Sequence, residues 1–185
     1  MAKIILTGFK PFMGDLTNPS EIICSSVSSP HLIAQVLPVD FNQAFLDLKK
    51  TIELEKPDHV IMLGLASGRD RISLEKVALN WNESKYPDEA GNCVNRSKIN
   101  PANEPLALMT SFPINELQDF LDKKKYPVQM SFSAGTYVCN NLYYKVLTEF
   151  PELKSIFIHV PYFTEVNQEM QINLIKDVLV FCSLR

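Results

Sequence analysis

Short apolar runs alternate along this chain with longer stretches in which apolar residues return at every third or fourth position. Lys3 to Thr7 (KIILT), His31 to Val39 (HLIAQVLPV), His59 to Leu65 (HVIMLGL), Val128 to Phe132 and Ser155 to Val160 (SIFIHV) are runs of the first kind. Their β-branched content predicts strands, buried on both faces where the run is unbroken. The second kind covers Phe41 to Glu55 (Phe45, Leu48, Ile52), Ile114 to Lys125 (Leu117, Phe120, Leu121), Cys139 to Phe150 (Leu142, Tyr143, Val146, Leu147) and Thr164 to Phe181 (Met170, Leu174, Ile175, Val178). Each predicts a helix with one buried face. Asn18-Pro19-Ser20-Glu21 reads as one more helix start, with Asn18 as N-cap and Pro19 in the first helical position. Alternation of strand and helix predicts an α/β fold, a three-layer α/β/α sandwich around a twisted, mostly parallel central sheet. Residues 1–185 read as a single domain, without repeat or linker.

Two stretches break the pattern. In RISLEKVALNWNE the alternation Ile72, Leu74, then Val77, Leu79, Trp81 slips by one at Glu75-Lys76, as a bulge in one strand would produce. Ser84 to Pro105 is polar, rich in Asn and Pro and without periodicity, and reads as a long surface excursion.

Composition narrows the function. A charge of −3 and an acidic isoelectric point leave no footprint for nucleic acid. The only basic run, Lys123-Lys124-Lys125, sits where a helix ends and reads as a solvated last turn. No apolar window is long enough to span a membrane, and MAKIILTGF lacks the features of a secretion signal, so a cytoplasmic protein is expected. There the four cysteines, Cys24, Cys93, Cys139 and Cys182, are expected to be reduced. Neither their spacing nor that of His31, His59 and His159 suggests a metal site, and no cofactor motif is present. Gly64 to Arg69 (GLASGR) lacks the spacing of a phosphate loop.

Candidate chemistry gathers in SAGTYVCNNLYYKVLTEF, Ser133 to Phe150. Cys139 falls at the predicted helix start after a small-residue turn, where unpaired N–H groups and the macrodipole favour a thiolate. It reads either as an activated nucleophile or as a small core residue. His159 follows twenty residues later, at the carboxyl end of the next strand. Neighbouring strands lie about 4.8 Å apart, so both side chains can reach one sheet edge and form a thiolate–imidazolium pair. A third group must orient the imidazole. Glu75, at the phase slip, is the best placed, although pattern alone favours a solvent-facing strand glutamate. Phe9 and Phe12 sit in the glycine-rich loop after the first strand, on the edge where α/β sheets bind ligands. They read as core plugs or as a clamp on a flat ring. His59 begins its strand and reads as structural.

The residues that carry these features, with their neighbours, resemble the pyroglutamyl peptidase I family of cysteine peptidases. The likeness spans TGFKPFMGDLTNPS, VLPVDF, GLASGRDRISLEKVALN, YPDEAGN, SAGTYVCNNLYY and FIHVPY, in order and over most of the chain. It implies an omega peptidase, a thiol hydrolase that removes N-terminal pyroglutamate from peptides, with Cys139 as nucleophile, His159 as general base and acid, and Glu75 as the orienting acid. It further implies that Phe9 and Phe12 sandwich the pyrrolidone ring, that Asn18 and the Leu65 main chain lie near it, that Tyr137 forms the pocket wall, and that the protein is a homo-oligomer, a dimer or tetramer. A pocket free of charged residues is expected, since it would reject glutamate. The chain departs from the family at Lys85, where an arginine near the oxyanion is usual, and after HVPY, where it continues FTEVNQ. Lys85 motivates one alternative, an inactive relative that binds pyroglutamyl peptides. A cysteine amidase for another small lactam or acyl group is the other.

Overall fold

The computed structural model describes residues 2–102 and 105–184. Asn103 and Glu104, at the end of the polar excursion, lie outside the described residues, as do Met1 and Arg185. The elements in order are β1 (Ile4–Phe9), α1 (Pro19–Ser26), β2 (Leu32–Leu37), α2 (Gln43–Glu55), β3 (His59–Leu65), β4 (Ile72–Glu75), β5 (Val77–Leu79), β6 (Ala107–Met109), α3 (Ile114–Lys123), β7 (Val128–Ser131), α4 (Val138–Glu149), β8 (Lys154–Val160) and α5 (Gln168–Ser183).

Six strands form one sheet in the order β2-β1-β3-β8-β4-β7. β2, β1, β3 and β8 are parallel, as the apolar runs predict. β4 runs antiparallel to β8 and parallel to β7. α2 and α4 cover one face, with Ile5, Val60, Met62 and Phe157 beneath them. α1, α3 and α5 cover the other, over Leu6, Ile61, Leu63, Ile156 and Ile158. Successive residues of β3 and β8 thus face opposite helical layers, which is why both strands read as unbroken apolar runs.

The phase slip at Glu75-Lys76 is not a bulge. There the chain leaves the main sheet. β4 ends at Glu75, and β5 pairs antiparallel with β6 in a separate two-stranded sheet. A change of sheet reverses which parity points inward, and sequence periodicity cannot tell that from an inserted residue. β6, three residues long with Ala107 and Met109 exposed, escaped sequence reading. β1 also runs two residues further than predicted, so Phe9 closes the strand instead of lying in the loop.

Asn18 caps α1 as expected. Its Oδ1 accepts from the Ser20 N–H at 3.0 Å and the Ser20 hydroxyl at 2.8 Å, and its Nδ2 donates to the Lys10 carbonyl at 3.0 Å. The Ser20 hydroxyl oxygen in turn accepts from the Phe9 N–H at 3.0 Å. This network fixes the loop from β1 to α1 and so the position of Phe9 and Phe12. Gly8 is required there, because a Cβ would collide with the Ser20 carbonyl.

Candidate active site

His159 is the penultimate residue of β8, with Gly64 of β3 beside it on one side and Ser73 of β4 on the other. It is 4% exposed. Phe157, two residues earlier on the same face, packs its ring against the imidazole with centroids 4.8 Å apart. Glu75 pairs directly with Phe157 across the antiparallel β4–β8 ladder, which makes it the diagonal neighbour of His159. Long side chains span that diagonal. The His159 Nδ1 lies 2.8 Å from Glu75 Oε1. The same oxygen accepts from the Arg69 guanidinium at 2.7 Å. Glu75 is fully buried, and burial alone would raise its carboxyl. The hydrogen bond and charge of His159, then Ser131 and Arg69, outweigh burial and hold it below its ordinary value. An ionised Glu75 can only accept, so Nδ1 carries hydrogen, and in the neutral form of the imidazole it is Nε2 that keeps a lone pair. The buried Tyr143 hydroxyl donates to the Glu75 carbonyl at 2.9 Å and ties α4 to this strand end.

Cys139 is the second residue of α4, so its N–H has no acceptor within the helix. The turn before it is set by Gly135 at φ +83°. Beyond it, Asn140 clamps the first helical turn to β5: Oδ1 accepts from the Leu79 N–H at 2.8 Å, and Nδ2 donates to the carbonyls of Leu79 and Trp81 at 2.9 and 3.1 Å. The sulfur is thereby laid over Gly64. A Cβ at Gly64 would stand 2.8 Å from Cys139 Sγ and 2.8 Å from the Phe157 ring. Gly64 is the ladder partner of His159, so the thiol and the imidazole share one patch of one sheet face. Gly64→Ala is therefore expected to displace the sulfur, lowering turnover and destabilising the fold by about 1–3 kcal/mol, the usual cost of overpacking. Urea unfolding alongside initial rates measures both.

Burial opposes the ionisation that the helix start suggests. Cys139 keeps some exposure, but the protein packs densely around it, and burial pushes its pKa up to about 12. The Glu75 charge adds to the rise, while the Cys139 N–H and Arg69 oppose it. Desolvation of a sulfur over a packed sheet outweighs one turn of helix dipole. Alkylation of Cys139 by iodoacetamide is accordingly expected to keep accelerating above pH 9 in the free protein. A plateau reached below pH 7 would contradict this.

A cleft of about 500 Å³ opens beside the sulfur. Phe9, Phe12, Asn18, Leu65 and Tyr137 all line it together with Cys139. Asn18 has its side chain committed to the loop, as described above. The Phe12 and Tyr137 rings are 5.6 Å apart and tilted by 31°, and Phe41 meets Tyr137 edge-on at 5.2 Å. The Tyr137 hydroxyl donates to the Pro87 carbonyl at 2.8 Å. Lys85 is exposed and does not line the cleft, whereas its neighbour Tyr86 does. The expectation of a charge-free pocket is overturned, because Asp15 lines it. Asp15 sits in a segment whose glycine and proline content hides which side chains turn inward. Arg69 and Asn140 were also missed. Arg69 stands six residues before Glu75 in the glycine-bearing loop, but no spacing rule links a loop arginine to a strand glutamate. Among the described residues no group of three or more His, Cys, Asp or Glu side chains is placed to hold a metal ion. Nor is any helix among them long and apolar enough to cross a membrane.

An α/β sheet whose strand ends bring together a helix-borne cysteine, a histidine and a buried glutamate beside a ring-lined cleft defines a protein of the cysteine peptidase class. Comparison with known proteins narrows the class. The family model described as pyroglutamyl peptidase matches residues 2–174. A pyrrolidone-carboxylate peptidase of Thermococcus litoralis is 37% identical over 171 residues, covering 88% of this chain and 77% of the relative. One from Bacillus velezensis is 34% identical over 172 residues, covering 88% and 80%. Among solved structures, the pyrrolidone carboxyl peptidase of Thermococcus litoralis superposes with a TM-score of 0.90 at 34% identity, covering 100% of this chain and 94% of that one. The pyroglutamyl peptidase I of Bacillus amyloliquefaciens gives 0.91 at 28% identity, covering 100% and 96%. The chain belongs to the pyroglutamyl peptidase family of cysteine peptidases.

Proposed function

We propose that this protein hydrolyses the amide bond that follows an N-terminal pyroglutamyl residue, with Cys139 as nucleophile, His159 as general base and acid, and Glu75 as the group that orients His159. One observation carries the assignment: the ionised Glu75 fixes the His159 tautomer beside Gly64, the residue on which the Cys139 sulfur rests.

The raised thiol sets the order of events. His159 Nε2 takes the Cys139 proton as the sulfur attacks the pyroglutamyl carbonyl, instead of the sulfur waiting as a thiolate. The S–C bond forms while the carbonyl oxygen gains negative charge. The Cys139 N–H, which has no acceptor within the helix, donates to that oxygen. Collapse breaks the C–N bond, and the imidazolium passes its proton to the leaving amine. Water, deprotonated by the same imidazole, then cleaves the thioester and returns the thiol. Glu75 stabilises the imidazolium in both halves without taking its proton.

The substrate ring is flat and uncharged, with apolar faces and one N–H and one C=O at its edge. Apolar walls at Phe9, Phe12, Val39 and Tyr137 suit those faces. A ring held between two aromatic faces needs them about 7 Å apart, two van der Waals contacts. Phe12 and Tyr137 stand closer than that, so the ring enters beside this tilted pair and leaves it in contact. All four cysteines are free thiols, which supports a reducing compartment such as the cytoplasm as the working place. Release of amine from a pyroglutamyl amide by the purified protein, with no release from the corresponding glutamyl amide, is the decisive measurement. A protein that cleaves neither is not the enzyme described.

A further inference from the structure

Among the described residues lining the cleft, Asp15 alone bears a formal charge at neutral pH. Its placement is built into the loop. The Asp15 N–H donates to the Phe12 carbonyl at 3.2 Å. Between them Met13 and Gly14 stand at φ +57° and +86°, a left-handed reversal that brings Asp15 back to the cleft. The Tyr162 hydroxyl then donates to Asp15 Oδ2 at 2.8 Å. Tyr162 also lines the cleft and lies three residues beyond His159. This bond joins the loop leaving β1 to the loop leaving β8. Tyr162's phenol is raised, first by the hydrogen bond to Asp15, as an anionic acceptor demands. Asp15 is itself exposed, so its charge faces solvent and whatever enters from it.

The pyroglutamyl ring has no charge for Asp15 to meet, and the apolar walls have their own place for it. The part of a substrate that does reach the mouth of the cleft is the chain beyond the scissile amide. We infer that Asp15 selects substrates at the residue following the pyroglutamyl group, favouring lysine or arginine there and disfavouring aspartate or glutamate. The inference deepens the proposed peptidase reading and rests on it. Asp15 contributes charge only. It is a specificity residue and takes no part in bond making.

The test uses three amidated dipeptides, pyroglutamyl-lysine, -alanine and -glutamate amide, so that no terminal carboxylate obscures the comparison. For the unaltered protein at low salt, kcat/KM is expected to be about three-fold higher for the lysine than the alanine substrate and about ten-fold higher than for the glutamate one, the scale of an exposed charge pair. Both ratios should shrink towards one at about 0.5 M salt. Asp15→Asn keeps an oxygen for the Tyr162 hydroxyl and removes the charge, so its lysine-to-glutamate ratio should fall to about two or less. Tyr162→Phe removes the tether and keeps the charge, so the order of preference should survive. Equal rates on all three substrates, or a preference untouched in Asp15→Asn, would overturn the inference while leaving the peptidase reading intact. Cleavage of none of them by the unaltered protein would remove the peptidase reading, and this inference with it.

Discussion

Cys139→Ala is expected to end turnover of a pyroglutamyl amide, lowering kcat/KM on the order of 10⁴-fold or more. The reason is specific to this site. The sulfur is the atom that becomes covalently bound to the acyl group, and no neighbouring side chain can replace it. Ser133 and Thr136 stand before Cys139 in the turn, and each is committed elsewhere: the Ser133 hydroxyl accepts from the Gly135 N–H, and the Thr136 hydroxyl donates to the Glu83 carbonyl. His159 and Glu75 would remain in place in the variant, since their contacts do not involve the sulfur. Direct attack by water activated by His159 would set the residual rate. The fold should tolerate the change, because Cys139 is half-buried at the cleft and alanine is a good helix residue in the first turn of α4. Initial rates with a chromogenic pyroglutamyl anilide, together with an unaltered urea midpoint, test this. Turnover by Cys139→Ala at the level of the unaltered protein would remove Cys139 from the mechanism.

Much of this site is legible in the sequence, for identifiable reasons. Strands buried on both faces give continuous apolar runs, and β3 follows the chain's own punctuation at Pro57. The cysteine at a helix start and the histidine at the next strand's end follow from counting along one β–α–β unit. Glu75 was legible only as a candidate. Its burial depends on β4 inserting antiparallel next to β8, a long-range pairing that no local pattern announces. The burial that opposes ionisation of Cys139 is hidden from sequence for a related reason. A helix start is visible in sequence, but the density of the sheet beneath it is not. Gly64 carries that information in the structure: the sulfur occupies the space its missing side chain leaves. Asp15 shows the limit from the other side. In a loop of Gly, Met, Asp, Leu and Thr, direction is set by two left-handed residues and a bond to Tyr162, 147 positions away in sequence.

Glu75→Gln and Glu75→Ala should differ in a way that the geometry dictates. Both donors, Arg69 and His159 Nδ1, meet the same oxygen, Oε1. Oε2 makes no hydrogen bond of ordinary geometry among the described residues. A glutamine can therefore place its carbonyl oxygen at Oε1 and its amide nitrogen at Oε2, keeping both bonds and the tautomer while losing the charge. The loss is then that of charge-assisted hydrogen bonds reduced to neutral ones, about 1.5–3 kcal/mol, or roughly ten- to a hundred-fold in kcat/KM. Alanine removes the acceptor altogether. His159 loses its orientation and Arg69 its partner, so activity should fall further. Stability should fall by about 3 kcal/mol, the lower end of the range for a broken buried pair because Arg69 keeps 27% side-chain exposure. The pH dependence adds a check. Glu75's carboxyl is held below its ordinary value, so its contribution is complete above the unfolded pKa of 4.5 and disappears as pH falls through the lower folded value. The stability gap between the unaltered protein and Glu75→Gln should thus be constant near neutrality and narrow in acid. A glutamine variant as inactive as the alanine one would mean that the negative charge, not the aim of the imidazole, is what the reaction requires from Glu75.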